Sequence, residues 1–468
     1  MLGNKHYVVV MPSLTKQFFV QRPTTLSSDS FLHYILDKYF GDGGAASRLR
    51  GGDTHAIHST LNALLREPTL SGLSTKTQTL LEEETPRLMT FISEMNKTKG
   101  ENTNANVMRL GEDSMEVDLY PLVSGYVAEV AGISLMGRAF FENNPGIFKD
   151  LWVFDNAFHS FLVGVPAITS GLRKARASRN RLNTAMKEWN YAVLAKLEGR
   201  DPGKEWGDLS DVSAVMGPRI KKMMVELKTD DIVSTTMNVA LYWGLMVNSN
   251  KLIFWMLLHV ISSPDLLEGI RKEIDPFIQC SFNQKNPSLK IQVDDLFHSC
   301  PLLKATFYET MRLYTVGTSY KKVLQDLTLT ESAEDAAKFG KERPQTYHVR
   351  AGTYLVIPHG TMQSDPRLWE NPMHFEPKRF LVPDEEKPEI LKASMRHLNP
   401  FGGGTSMCKG RFYAEREVLL HVASLVAVWE FTPKGKGTSW KVPERAFNGT
   451  GSAHPKVSVR VRISPRSL

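Results

Sequence analysis

The chain has 468 residues, 42% hydrophobic and 23% charged, the balance of a globular protein and not of a disordered one. Its three cysteines, Cys280, Cys300 and Cys408, exclude a disulfide scaffold and point to a reducing compartment, so the sequons Asn96-Lys-Thr98 and Asn448-Gly-Thr450 read as chance occurrences. The net charge of +7 lacks any basic stripe interleaved with aromatics, which argues for a modest cationic face and against nucleic-acid binding.

Met1 to Pro12 reads as a short β-strand entering a turn, with neither a signal peptide nor a membrane anchor. A helix begins near Ser13, followed by glycine-rich stretches at Gly41 to Gly44 and Gly51-Gly52. From about Thr54 to Ile274 the apolar period is mostly helical, interrupted at Asn143-Asn-Pro145, Asp201-Pro-Gly203 and Ser263-Pro264. The longest apolar run, Leu252 to Ile261, abuts Lys251 and falls far short of the roughly 20 residues a spanning helix needs. Leu302 to Tyr314 is another helix. Beyond Lys321, β-like runs (Lys322-Val-Leu, Thr353-Tyr-Leu-Val-Ile) alternate with turns, and Val457 to Ile463 alternates with period two. No repeat or low-complexity linker divides the chain. The expected fold class is therefore mostly α with a small β-rich part, in one domain over residues 1–468.

The segment Phe401-Gly-Gly-Gly-Thr-Ser-Met-Cys408-Lys-Gly410-Arg offers a single cysteine on a glycine-rich loop that opens onto an apolar helical run. Backbone N–H groups and a helix N-terminus favour a thiolate there, and the glycines admit close approach of something flat. Heme iron takes such a single sulfur ligand, whereas zinc needs three more ligands that are not nearby. A structural cysteine beside a turn has the same local appearance. Two further motifs decide between them.

Glu309-Thr-Met-Arg312 places an acid and an arginine on one helix face, and Phe375-Glu-Pro377-Lys-Arg379-Phe380 follows before the cysteine loop. With Phe401, Gly404, Cys408 and Gly410 in the pattern F-x-x-G-x-x-x-C-x-G, the chain resembles the cytochrome P-450 superfamily over essentially its whole length. Phe154-Asp155 with Gly164-Val-Pro166 is similar to the roof helix of the branch holding sterol 7α-hydroxylases and prostacyclin synthase, a texture shared by fungal natural-product oxidases. Trp440-Lys-Val-Pro443 before the last strand also fits. The resemblance implies heme b bound through Cys408, with Phe401, Gly404 and Gly410 shaping the loop. It also implies a buried ion triad of Glu309, Arg312 and Arg379 behind it. The implied activity is insertion of one oxygen atom from dioxygen into a hydrophobic small molecule: terpenoid, sterol-like or polyketide-derived. NADPH would act through a flavoprotein reductase docking around Lys409, Arg411 and Arg416. Relatives begin with an anchor, a Pro-rich hinge and a further helix and strand. This chain is expected to start inside the first sheet, so an endoplasmic reticulum location on the cytosolic face applies if the native product carries an anchor; peripheral membrane contact is compatible with either case.

Several positions depart from the pattern. Trp243 and Trp255, twelve apart, fix the register of the central helix, where the usual acid is Asn248 and the alcohol is Ser249. An amide orients water but cannot ionise, so proton delivery falls to Ser249, with both residues expected on the oxygen-binding side. That change is equally compatible with a heme-dependent isomerase or dehydratase needing no reductase. A non-catalytic heme-binding pseudoenzyme is the remaining alternative. Ser406 replaces the usual basic residue, and no tryptophan precedes Trp152. Lys321 aligns with an arginine that reaches a heme propionate, while a solvated strand-edge lysine is an equal reading. His55 and His58 are further propionate candidates, and His259 reads as a packed helix histidine.

Overall fold

The computed structural model describes residues 5–95, 105–111, 113–165, 168–283, 286–435, 439–446 and 450–466. Asn96 and Asn448 of the two sequons, and Pro166 of the roof segment, lie outside the described residues.

The central element is the helix Asp231–Ser262, 32 residues long and so roughly 48 Å at 1.5 Å per residue. Asp231 in its first turn accepts from Tyr191 Oη (2.7 Å) and pairs with Lys187 (2.9 Å), an acid where the helix dipole favours one. Ser263-Pro264 ends it, because proline has no N–H to continue the ladder and instead starts the helix Pro264–Ile274. From Ser249 to Leu258 every residue is buried, which places this half in the middle of the fold. The run Leu252 to Ile261 is thus part of a longer element. This helix and Leu119–Met136 are long and apolar enough by composition to cross a membrane, and both bury most of their residues within the fold.

Around that axis lie the roof helix Ile147–Asp155, the helix Ser170–Leu197, the triad helix Pro301–Tyr314 and the helix Arg411–Val428, which starts just after the cysteine loop. Hydrophobic residues from Leu36 to Ile463 join in the main core, while Val9, Met11, Leu14, Phe18 and Leu26 pack in a separate cluster with the first sheet.

Among the described residues, two four-stranded sheets and four two-stranded ones complete the fold. In one, His6–Val8 pairs in parallel with Tyr354–Pro358, and Thr318–Val323 and Leu26–Ser27 extend it antiparallel. The helix Pro12–Val20, with proline at its first position, buries Leu14 and Phe18 beneath this sheet. In the other, the tail strand Arg460–Pro465 lies between Trp429–Pro433 and Met115–Asp118. Val461 and Ile463 point inward there, as the period-two pattern predicts. The fold class matches the expectation. Within the 54–274 stretch, the strands Met108–Arg109 and Met115–Asp118 are additions that short, polar-flanked runs did not announce.

Candidate active site

The cysteine loop is shaped by its glycines. Gly402 and Gly404 take φ of +73° and +63°, the left-handed region that glycine adopts without strain. A Cβ on Gly404 would collide with the carbonyl oxygen of Phe19, and one on Gly403 would lie 2.6 Å from the Phe19 ring. The loop therefore closes tightly against the Pro12–Val20 helix. Cys408 N–H donates to Phe401 O (3.0 Å), so the motif's phenylalanine anchors the cysteine through its backbone.

Cys408 is exposed although protein atoms surround it on most sides, the situation of a side chain on the wall of an internal cleft. Burial pushes its thiol pKa up. The Gly410 N–H, Arg411 and Lys409 oppose that shift without overcoming it. The thiolate expected from the helix N-terminus therefore needs more positive charge than the protein alone supplies.

One strand of the first sheet faces this loop. Ser319 and Lys321 alternate onto the same side of Thr318–Val323, and Ser319 Oγ lies 3.3 Å from where a Gly402 Cβ would stand. Lys321 is 2% exposed, its Nζ has no hydrogen-bond partner among the described residues, and it sits 5.0 Å above the Phe18 ring. Burial lowers its pKa, the mark of a cation missing its anion. The solvated strand-edge reading of Lys321 does not survive. Beside it, His359 shares a hydrogen bond between Nε2 and Ser319 Oγ (2.8 Å) and stacks on Phe19 at 6.2 Å. Burial holds His359 neutral, with a pKa lowered to about 4. Sequence reasoning passed over His359.

His58 is also exposed, yet the protein crowding its ring and then the charges of Arg219 and Lys409 lower its pKa, which places it in the field of the loop. Arg219 is fully buried on neutral acceptors: Asn238 Oδ1, Ile57 O, Thr60 Oγ1 and Met237 O. His55 and Ser406 are exposed. His259 stacks on Phe375 at 3.7 Å and bonds Tyr314 Oη (2.7 Å), a packed histidine as expected.

The structure brings Glu309, Arg312 and Arg379 together. Arg312 donates from Nε and Nη2 to the two Glu309 oxygens at 2.7 Å each, and both side chains are wholly buried. Arg379 Nε stands 3.4 Å from Glu309 Oε1 as an ion pair without a well-formed hydrogen bond, while its Nη2 donates to Asn371 O. Arg312 also donates to the carbonyls of Gln363, Pro372 and His374, and Glu376 N–H donates to Glu309. The planar fork thus fastens the 363–379 segment to the triad helix.

Asn248 and Ser249 point in different directions, because successive helical residues are about 100° apart. Asn248 is partly exposed beside Gly244 and Leu245. Its Nδ2 donates to Gly244 O (3.1 Å), and its Oδ1 is covered by Gly451 of the C-terminal segment without a bond. Ser249 is buried and lies beside Glu417 of the Arg411–Val428 helix. It is close enough to lower that carboxyl's pKa, yet neither Glu417 oxygen has a well-formed hydrogen bond. Burial dominates and pushes the Glu417 pKa up to about 8. One turn further on, His421 Nδ1 donates to Glu417 O (2.8 Å), and burial lowers the His421 pKa to about 4. Glu417 and His421 were missed. Their signal was two polar residues four apart in the otherwise apolar run Glu417-Val-Leu-Leu-His421-Val.

Of the expected basic face, Arg411 donates to Cys408 O (2.9 Å), and Arg416 is drawn into local contacts with Glu67 and Ser74.

The donor set suits a metal that brings its own equatorial ligands. It offers one sulfur, and among the described residues no group of three or more His, Cys, Asp or Glu could hold a metal ion. An unpartnered buried cation beside the loop suits a carboxylate on the same group. Heme meets both demands.

Comparison with known proteins agrees. A cytochrome P450 monooxygenase of Gibberella zeae is 24% identical over 372 residues, which cover 76% of this chain and 63% of that protein. Cytochrome P450 7B1 of Mus musculus is 20% identical over 476 residues, covering 100% of this chain and 83% of its own length. A 25-hydroxycholesterol 7-alpha-hydroxylase of Rattus norvegicus is 24% identical over 234 residues, covering 49% of this chain and 53% of that protein. The chain thus spans less than two thirds of the length of the Gibberella and rat relatives. The sequence model of the family described as Cytochrome P450 matches residues 1–459, nearly the full length, and the chain therefore belongs to the cytochrome P450 family.

Proposed function

We propose that this chain is a heme-thiolate monooxygenase, one domain over residues 1–468, that inserts one oxygen atom from dioxygen into a hydrophobic small molecule. The observation that carries this reading is a cleft-facing Cys408 on a glycine loop beside Lys321, a buried cation without a partner. Cys408 would ligate heme b, and Lys321 would hold one of its carboxylates. When bound, heme supplies redox-active iron whose thiolate ligand favours O–O cleavage. Asn248, facing the cleft, orients a water. Glu417 keeps a proton at neutral pH, and the neighbouring Ser249 hydroxyl passes it toward the cleft. The triad holds the 363–379 segment behind the loop.

The substrate class (terpenoid, sterol-like or polyketide-derived, in secondary metabolism) draws support from the fungal and sterol-hydroxylase relatives. The aromatic roof of Tyr39, Phe40, Phe154, Phe158 and Trp243 also supports it. A flavoprotein reductase would deliver NADPH electrons near Lys409 and Arg411, a small charge-steered contact. Exposed Val163, Val165 and Ile168, followed by exposed Arg173, Lys174 and Arg176, support peripheral contact with a membrane on the cytosolic side of the endoplasmic reticulum.

The test is reconstitution with heme, NADPH and a reductase on a panel of such substrates. Oxygenated product that requires both NADPH and reductase supports the reading. Rearranged or dehydrated product without them selects the isomerase alternative, and heme binding with no turnover on any substrate selects the pseudoenzyme.

A further inference from the structure

Outside the triad, one ion pair among the described residues is completely closed off. Lys251 Nζ lies 3.3 Å from Asp155 Oδ2, with the side chains 0% and 1% exposed. Asp155 is the last residue of the roof helix, and Lys251 is on the central helix, one turn from Asn248 on the same face. Asp155 has further partners. Its Oδ1 accepts from Trp243 Nε1 at 3.0 Å, from two turns earlier on the central helix. His454 Nε2 is 3.7 Å from Oδ2, while His454 Nδ1 meets Tyr120 Oη at 3.0 Å.

The same C-terminal segment is fastened along the central helix. Gly451 covers Asn248, and Ala453 O accepts from Trp255 Nε1 at 2.9 Å. Gly451 O accepts from the N–H groups of Val316 and Gly317 at 2.8 and 3.1 Å. Asp155 is therefore the point at which the roof helix, the central helix and the C-terminal segment are joined. The roof helix has one other polar anchor among the described residues, Asp150 with Arg181 Nε (2.7 Å) and Ser178 Oγ (2.8 Å), which ties it to the helix Ser170–Leu197 and not to the central helix. Its remaining contacts here are aromatic: Phe154 stacks on Tyr39 at 4.0 Å, and Phe158, just beyond its end, stacks on Trp243 at 5.7 Å. Aromatic faces slide over one another at little cost. A buried ion pair does not, because parting it without water leaves each charge uncompensated. Such pairs seldom add net stability, so holding a defined arrangement is what this one can contribute.

We propose that Lys251 and Asp155 are positioning residues that clasp the roof helix over the cleft beside Asn248, so that a bulky ligand enters or leaves only when the pair parts. The spectroscopic test rests on the heme reading above; a second measurement does not. Lys251→Met alone strands a buried carboxylate and is expected to fold poorly, so the decisive variant is the double Asp155→Asn/Lys251→Met, which removes both charges and keeps an acceptor for Trp243. Stopped-flow mixing of the ferric heme protein with 4-phenylimidazole, and of the reduced protein with carbon monoxide, reads passage of a bulky and a small ligand. In the double variant, 4-phenylimidazole entry and exit should both quicken about tenfold or more, with the dissociation constant held within about threefold and carbon monoxide unaffected. Hydrogen exchange of residues 147–155 should quicken relative to residues 301–314, whether or not heme is bound. Unchanged 4-phenylimidazole rates, equal acceleration of both ligands, or a change in exit rate alone would overturn the proposal, as would unchanged exchange in the roof helix. Absence of any 4-phenylimidazole spectral shift in the unaltered protein would instead overturn the heme reading and leave the exchange result to decide the clasp.

Discussion

Ser249 and Glu417 stand side by side where the central helix packs on the helix after Cys408, both closed off from solvent, while Asn248, the preceding residue, is partly exposed and covered on one side by Gly451. The polar device of the central helix is therefore split between two helix faces. One part is partly exposed, and the other is backed by a carboxyl that burial holds protonated at neutral pH.

Ser249→Ala and Glu417→Gln should each leave NADPH consumption largely intact and divert it from product to peroxide. The expected loss of product per NADPH is about tenfold or more for Ser249→Ala, within the range of positioned proton-transfer groups. The loss is smaller for Glu417→Gln, because water can replace a donor one step removed. Parallel assays of NADPH, peroxide and product check this; unchanged coupling in both variants would assign the proton to another group.

Glu417 also gives the fold a pH signature. Its carboxyl is raised from 4.5 to about 8, so its contribution to stability is complete below about pH 4.5 and is lost as pH rises toward 8. Four histidines, two buried and two partly buried, act with the opposite sign. His259 is lowered to about 3 and His359, His421 and His454 to about 4, so their contribution is present above pH 6.5 and is lost as pH falls. Comparison with Glu417→Gln between pH 6.5 and 8, above the histidine range, isolates the Glu417 effect. Denaturant melts should show the unaltered protein losing about 2 kcal/mol over that window relative to Glu417→Gln.

Cys408→Ala should abolish the thiolate-heme spectrum, with the reduced carbon monoxide adduct losing its red-shifted Soret band. Survival of that band in the variant would mean another ligand holds the iron. Cys280 and Cys300 cannot stand in for it: burial raises both thiol pKa values, Cys300 to about 12.

The features legible in the sequence were those whose meaning is carried by short spacing. Glu309 and Arg312 share a helix face because they are three apart, and the structure finds them bonded and wholly buried. The cysteine loop announces itself through glycines that a left-handed turn requires. What was not legible depends on which distant element a side chain meets. Lys251 was read only as one of several polar residues on the central helix, and its partner Asp155 lies 96 positions earlier. The sequence puts Ser249 with Asn248 on the oxygen-binding side, but the structure buries it against Glu417: a helix fixes the roughly 100° between neighbours, not which neighbouring helix each will face.

The triad should behave as a buried pair with one partner removed. Glu309→Gln leaves Arg312 without its compensating charge and is expected to cost about 3–5 kcal/mol, visible as a lowered melting temperature and loss of bound heme. Arg312→Lys keeps the charge but loses the fork that reaches Gln363, Pro372 and His374 together, so it should rescue only part of that loss.

Lys321 gives a prediction with opposite signs in two measurements. Its ammonium is buried, unpartnered and penalised by desolvation, so Lys321→Met should stabilise the heme-free protein, by about 1–3 kcal/mol. If that cation awaits a heme carboxylate, the same substitution should weaken heme retention, measured as faster transfer of heme to an apo-globin acceptor. Lys321→Arg should restore retention, since its fork suits a carboxylate at least as well. A Met variant that gains stability and keeps heme as tightly as the unaltered protein would show that Lys321 meets no propionate, and His58 would then be the next residue to test.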